Sequence, residues 1–281
     1  MSRLTIQTLG TFHVERDGRA IRGFESSKVR MLLAYLAVDG GGRAHSREKL
    51  AALFWPEHAN GRAPLRRALA NLRRAIHDQQ TDPPYLLINR QTLQINPDAN
   101  IWLDVNEFNR LQSNADATAA ELETAVSLFT GSFLEGLNLS GCLELEEWLL
   151  LQRESLARRL VEALASLIQV FVSQSQYTQA LPHARRLVEI EPWQEQGHRQ
   201  VMRLLAYSGQ RGAALAQFET CRRFMADSLG VEPEQETIAL AEQIRRSNLL
   251  PQTTAVPTTT IPHARTPLIG READLERVGS Y

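Results

Sequence analysis

Residues 60–77 read NGRAPLRRALANLRRAIH, and they decide how the rest of the chain is read. Leu65, Leu69, Leu72 and Ile76 recur at helical spacing and make one apolar stripe. At roughly 100° per residue, Arg62, Arg66, Arg73, Arg74 and His77 project to the side and back of that stripe. Arg67 and Asn71 continue the polar face, and no acid interrupts it before Asp78. A solvated helix face ordinarily mixes signs, with Glu placed to pair with Arg. A helix anchored on one face and bearing only positive charge and amide on the other suits a nucleic-acid groove.

Working outward, Ser46 is placed to cap the preceding helix, SREKLAALF, with Glu48 in its first turn where the helix dipole favours an acid. Pro56 stops that helix. A short loop over 55–59 leads to Asn60, the expected cap of the Arg-rich helix, and Pro64 falls in the first turn, where a missing N–H costs little. Further upstream, Ser26 or Ser27 caps a helix through Val29, Leu32, Leu33, Leu36 and Ala37, ended by DGGG at 39–42. Before it, Leu4, Ile6, Thr8 and then Phe12, Val14 alternate as half-buried strands do. Asp17-Gly18 marks a hairpin turn, and residues 19–22 begin the returning strand, so a short antiparallel sheet precedes the helices. Downstream, residues 85–88 and 92–95 form a second hairpin with Arg90 at its tip. Helix, helix, long helix, hairpin is the order of a winged helix-turn-helix. Its third helix enters the major groove, and its wing reaches backbone or minor groove.

The whole chain is compatible with this. Its 281 residues suit two domains, each long enough for a core of its own. The net charge of −1 hides an asymmetry: residues 1–110 carry 16 Lys+Arg against 11 Asp+Glu, and residues 111–250 carry 12 against 18. Nucleic-acid attraction must therefore come from local clustering. Cys142 and Cys221 have no metal-ligand or CxxC spacing, which predicts buried, inert thiols in a reducing cytoplasm. No apolar run approaches the roughly 18 residues that span a bilayer, and the first residues lack a signal-peptide core. The seven histidines are scattered, HExxH and GxSxG are missing, and no carboxylate cluster has ligand spacing. Neither an enzyme, a metal nor a cofactor is expected.

Residues 118–247 contain no strand pattern, only amphipathic runs. A period of 34 appears inside them: Leu164, Leu167, Phe171, Ala180, Ala184 and Leu187 map onto His198, Val201, Leu205, Ala214, Phe218 and Cys221. This is tetratricopeptide logic, in which each helical hairpin buries its apolar face on the next. The repeat is degenerate, because His198 stands where an apolar residue is expected and LGVEP extends the turn after Phe224.

With these residues in place, a resemblance becomes specific. The opening sheet, SREKLAALFWP, LRRALANLRRAI, the wing and the exit IWLDVNEF resemble the DNA-binding domain of the bacterial antibiotic regulatory proteins, of the OmpR/PhoB winged-helix type. The tail FETCRRFMADSLGVEPEQETIALAEQIRR is similar to the closing helices of the bacterial transcriptional activator domain that follows it in that family. The resemblance implies a mainly α fold with small antiparallel β: a winged helix at 1–110, then an all-α, tetratricopeptide-like domain at 111–249. It implies Arg62, Arg66, Arg67, Asn71, Arg73 and Arg74 as groove residues; Asn71 either pairs with an adenine edge or, since its angle lies far round the helix, serves as a structural amide. Arg66 and Arg73 are the leading base contacts, and Arg62, Arg74 and Arg90 are placed on phosphate. The loop carrying Trp55, Glu57 and His58 would face RNA polymerase. The implied partners are double-stranded DNA, polymerase and further copies of the chain on direct repeats, with no membrane.

A Thr/Pro-rich linker is expected at 250–267. IGREADLERV, within 268–281, looks like the opening of a signalling-type ATPase module without its phosphate-binding signature, so the chain is read as the N-terminal part of a longer regulator, the alternative being a short regulator with a vestigial tail. No receiver domain is expected before the fold, and control by receiver phosphorylation is not expected within this chain. The alternative is an adaptor that binds proteins through the helical repeat and reads no DNA sequence.

Overall fold

The structure is a computed structural model that describes residues 2–39, 41–58, 61–114 and 117–246. The expected cap Asn60, the linker at 250–267 and the segment at 268–281 lie outside the described residues. In chain order the first part runs β1 (Leu4–Gln7), β2 (His13–Arg16), β3 (Arg19–Ala20), α1 (Ser27–Val38), β4 (His45–Ser46), α2 (Arg47–Phe54) and α3 (Arg62–Ala75). The wing strands β5 (Leu86–Ile88) and β6 (Thr92–Ile95) follow, then β7 (Ile101–Leu103) and α4 (Asp104–Gln112).

The expected caps form. Ser26 Oγ accepts from the Val29 N–H and Ser46 Oγ from the Lys49 N–H, satisfying donors a helix start leaves open. The hairpin turn forms at Asp17 (φ 51°) and Gly18 (φ 75°), both left-handed as such a turn requires. Strand alternation sends Leu4, Ile6 and Val14 into the core. The first sheet is more than the antiparallel one expected before the helices. Its order is β3-β2-β1-β7, and β7, which comes after the wing, lies parallel to β1 with Leu4 opposite Ile101 and Ile6 opposite Leu103. Asp104, at the end of this strand, is buried and accepts from Leu9 N–H at 2.7 Å, Thr8 Oγ1 at 2.8 Å and also the Thr8 N–H. Burial pushes its carboxyl up from the usual carboxylate range, and the donations from Leu9 and Thr8 pull the other way.

The second sheet, β4-β6-β5, is antiparallel, and it contains a strand the sequence reading lacked: β4 sits on β6 with His45 opposite Leu93. This ties the wing to the start of α2.

The second part is helical: α5 (Ala119–Ser127), α6 (Leu143–Ser173), α7 (Tyr177–Ile190), α8 (Glu195–Tyr207), α9 (Arg211–Phe224) and α10 (Gln235–Arg245). Thr118 and Glu121 close a capping box on α5. The 34-residue correspondence holds in space, since α6 packs on α7, α7 on α8 and α8 on α9. Ala180 and Ala214 are fully buried where neighbouring helices approach. His198 occupies an apolar position because its ring is satisfied there, with Nε2 3.0 Å from the Pro192 carbonyl and Nδ1 2.8 Å from the Gln217 amide. The extended turn also has a reason. Glu195 at the start of α8 accepts from the Glu234 N–H and the Thr237 hydroxyl, so the LGVEP segment carries α10 back onto α8. Cys142 and Cys221 are buried and unpaired, and burial pushes the Cys221 thiol up to about 11.

Each part was expected to have its own core, but the buried apolar residues form one continuous cluster through both. Trp148 of α6 donates to Asp39 at 3.0 Å, and its ring lies 4.9 Å from Tyr35 and 6.0 Å from Phe133. Arg153 donates to the Phe133 and Leu134 carbonyls, and Cys142 Sγ stands 3.4 Å from the Phe54 carbonyl at the end of α2.

Candidate nucleic-acid interface

The four stripe residues of α3, Leu65, Leu69, Leu72 and Ile76, are at most 4% exposed. The helix is thereby pinned to α1 and α2, and its opposite face is fixed toward solvent. That face presents Arg62, Ala63, Arg66, Arg67, Ala70, Arg74 and His77. The side chains of Arg66 and Arg67 make no hydrogen bond or ion pair among the described residues. Ala63 and Ala70 leave the middle of the face shallow, so the guanidiniums are its tallest features. Gly61 lets α3 begin close against α2, because a Cβ there would stand 2.7 Å from the Ala51 carbonyl oxygen. The first turn contains no acid of its own, so the positive end of the helix dipole adds to the charge of Arg62 at this end of α3.

At this end of α3 a cleft of about 740 Å3 is lined by Arg47, Arg62, Arg90, Glu48, Gln91 and Thr92, among others. Arg62 meets Glu48 at 3.8 Å, with both side chains largely exposed. The wing turn is set by Asn89, whose side chain accepts from the Gln91 and Thr92 N–H groups and leaves Arg90 exposed at the tip. Arg47 donates to the Asn89 carbonyl at 3.0 Å and so brings a third guanidinium beside Arg62 and Arg90. Arg47 escaped sequence reasoning because its neighbourhood depends on β4 pairing with β6. The available signal was its position directly after the α2 cap.

Three expected site residues are placed otherwise. Asn71 is buried: its Oδ1 accepts from Glu25 N–H and its Nδ2 donates to the Gly23 carbonyl, both at 3.1 Å. An amide spent on backbone cannot read an adenine edge. Arg73 is not the equal of Arg66, since its Nε donates at 2.9 Å to Asp78, a fully buried carboxylate that also accepts from the Leu86 N–H of β5. It fastens the end of α3 to the wing. Trp55 is 7% exposed and lies beneath Lys28, so it does not face a partner, whereas Glu57 and His58 are exposed. Arg74 is exposed and meets Glu25 only at 3.8 Å.

Asn71→Ala should therefore act on stability. Removing it orphans one backbone donor and one acceptor, at about 1–3 kcal/mol. A urea titration should show a lower midpoint with an unchanged slope; an unaltered midpoint would rule out the pinning role.

The sequence model of the bacterial transcriptional activator domain matches residues 103–245. The chain belongs to this family. The matched region begins at Leu103, the last residue of β7, the strand that completes the N-terminal sheet. The regulatory protein AfsR of Streptomyces coelicolor is 25% identical over 255 residues, covering 87% of this chain and 24% of AfsR. The transcriptional regulator RedD of the same organism is 29% identical over 231 residues, covering 75% of this chain and 62% of RedD. The chain thus spans about a quarter of one curated relative and under two thirds of the other. The solved structure of Mycobacterium tuberculosis EmbR in complex with a low affinity phosphopeptide has the same fold. The TM-score is 0.67 at 21% identity, over 89% of this chain and 67% of that one. Winged helix followed by tetratricopeptide-like helices is therefore the architecture of this chain. Among the described residues of this family member, no group of three or more His, Cys, Asp or Glu side chains could hold a metal ion, and no helix is long and apolar enough to cross a membrane.

Proposed function

We propose that this chain is a sequence-specific DNA-binding transcriptional activator that lays α3 in the major groove of repeated promoter half-sites. The observation that carries this reading is the solvent face of α3, where Arg66 and Arg67 are exposed and unengaged on a helix whose other face is buried. Arg paired to a guanine edge is the commonest specific major-groove contact, and phosphate contacts set register. Arg66 and Arg67 read bases in this scheme. Arg47, Arg62 and Arg90 hold phosphate at one end and Arg74 at the other. One winged helix covers a short site, so copies bind side by side on direct repeats. The exposed loop residues Glu57 and His58 face RNA polymerase, and the helical part orients neighbouring copies. The chain performs no catalysis in this role and works in the cytoplasm, where a bacterial genome lies. The relatives named as regulators support the same class.

The test is salt-titrated binding of the full chain to promoter duplexes. Log affinity should fall linearly with log salt, by about 0.9 per phosphate neutralised. An adaptor that uses only its helical repeat shows no such dependence, and that result would overturn the proposal. Arg90→Ala should weaken all sequences evenly and lower the salt slope by about 1, as loss of one phosphate contact does. A change confined to one base position would move Arg90 from phosphate to base reading.

A further inference from the structure

A second basic surface adjoins α3 on the side away from the wing. A cleft of about 760 Å3 lies between the β2–β3 hairpin and the C-terminal half of α3, and Arg16, Arg19, Arg22, Arg74 and His77 line it. Two acids share the lining: Asp17 accepts from the Ser2 hydroxyl and the Arg3 N–H and meets Arg16 at 3.8 Å, and Glu25 meets Arg74 at 3.8 Å, so the four arginines leave the lining an excess of positive charge. The side chains of Arg19 and Arg22 are exposed and make no hydrogen bond or ion pair among the described residues.

The hairpin's exit is held firmly against the helix. Asn71 bonds the Gly23 carbonyl and the Glu25 N–H, and a Cβ on Gly23 would stand 3.7 Å from the Ala75 backbone. Arg22 is therefore carried beside the reading helix at a fixed offset. Arg74 and His77 line this cleft and also the neighbouring one along α3, so one basic track continues from the helix onto the sheet.

We propose that Arg19 and Arg22 form a second phosphate-gripping edge that holds the DNA backbone flanking the groove entered by α3. The inference rests on the DNA-binding reading above and extends it to the N-terminal sheet. A long polyanion suits this surface better than a discrete phosphate. The cations stand on exposed stems along a track, and α3 alone spans only about 21 Å at 1.5 Å per residue. Duplex DNA offers a charge about every 1.7 Å of axis, so a track longer than the helix meets additional phosphates.

The test compares the full chain with an Arg19→Ala/Arg22→Ala variant on duplexes carrying its half-sites. Both side chains are exposed, and unchanged circular dichroism checks the fold. The variant's slope of log affinity against log salt should be shallower by about 1.8, two contacts at about 0.9 each. Its preference among sequences should be unchanged, and hydroxyl-radical protection should shorten at one flank. An Arg19→Lys/Arg22→Lys variant should recover the slope, because charge at that place is what is required. If the unaltered chain binds with a salt slope and the alanine variant matches its slope and footprint, the hairpin edge is wrong and the DNA reading stands. If the unaltered chain shows no salt-dependent binding, both fall.

Discussion

Specific DNA affinity should fall about 30-fold or more when Arg66 and Arg67 are both replaced by alanine, with the fold unaffected. Each bidentate Arg–base contact is worth about 1–3 kcal/mol of discrimination, so the pair supplies about 2–6 kcal/mol. Both side chains point to solvent and bond to nothing described in the chain, so removing them leaves no orphaned group behind. Non-specific binding, carried by Arg47, Arg62, Arg74 and Arg90, should drop far less. Fluorescence anisotropy with a half-site duplex and a scrambled duplex separates the two effects. Arg73→Ala is the informative contrast. It strips an ion-pair partner from the buried Asp78, so its first effect should be on stability, at about 1–3 kcal/mol, with any affinity loss following from a loosened wing. Equal losses on both duplexes for the Arg66/Arg67 variant would place these residues on phosphate instead.

The second large effect concerns the seam between sheet and helices. Asp104→Ala should cost about 3–5 kcal/mol, a fifth or more of the stability of an ordinary domain. The carboxylate serves Thr8 N–H, Thr8 Oγ1, Leu9 N–H and its neighbour Val105 N–H, all in a buried site. Alanine leaves the strand donors without partners where no solvent reaches them. Asp104→Asn keeps one acceptor oxygen and should recover part of the loss. Denaturant unfolding reads the difference. Since β7 and α4 begin the family region, DNA affinity of Asp104→Ala should fall together with stability. A variant as stable as the natural chain would show that β1 is held to α4 by packing alone.

What the sequence made legible was local. The α3 stripe, the two serine caps, the Asp17-Gly18 turn and the Arg90 hairpin are set by residues within a turn or two of each other, and each forms as read. The 34-residue repeat was visible for the same reason, since helical hairpins pack on their chain neighbours. What could not be read depended on distant pairing. β7 joins β1 across nearly the whole first part, and β4 is a two-residue strand with no periodicity to reveal it. The angle of Asn71, far round the helix, already suggested a structural amide, but its partners, 46 and 48 residues upstream, could not be read. Trp55 is decided by Lys28 above it. Arg73 is the exception, because Asp78 is only five residues on, and an acid just past the last turn of a basic helix was a visible warning. Arg19 and Arg22 read as the start of a strand, and only the fold sets them beside α3.

The central claim is that α3 lies in the major groove with Arg66 and Arg67 at base edges. Methylation interference tests it most directly, on duplexes selected by the full chain from a random pool. Methylating guanine N7 places a methyl group on the major-groove edge. This should block binding at guanines inside each half-site, and Arg66→Ala should lose the interference at one of them. Undiminished binding to duplexes methylated at every half-site guanine would contradict it.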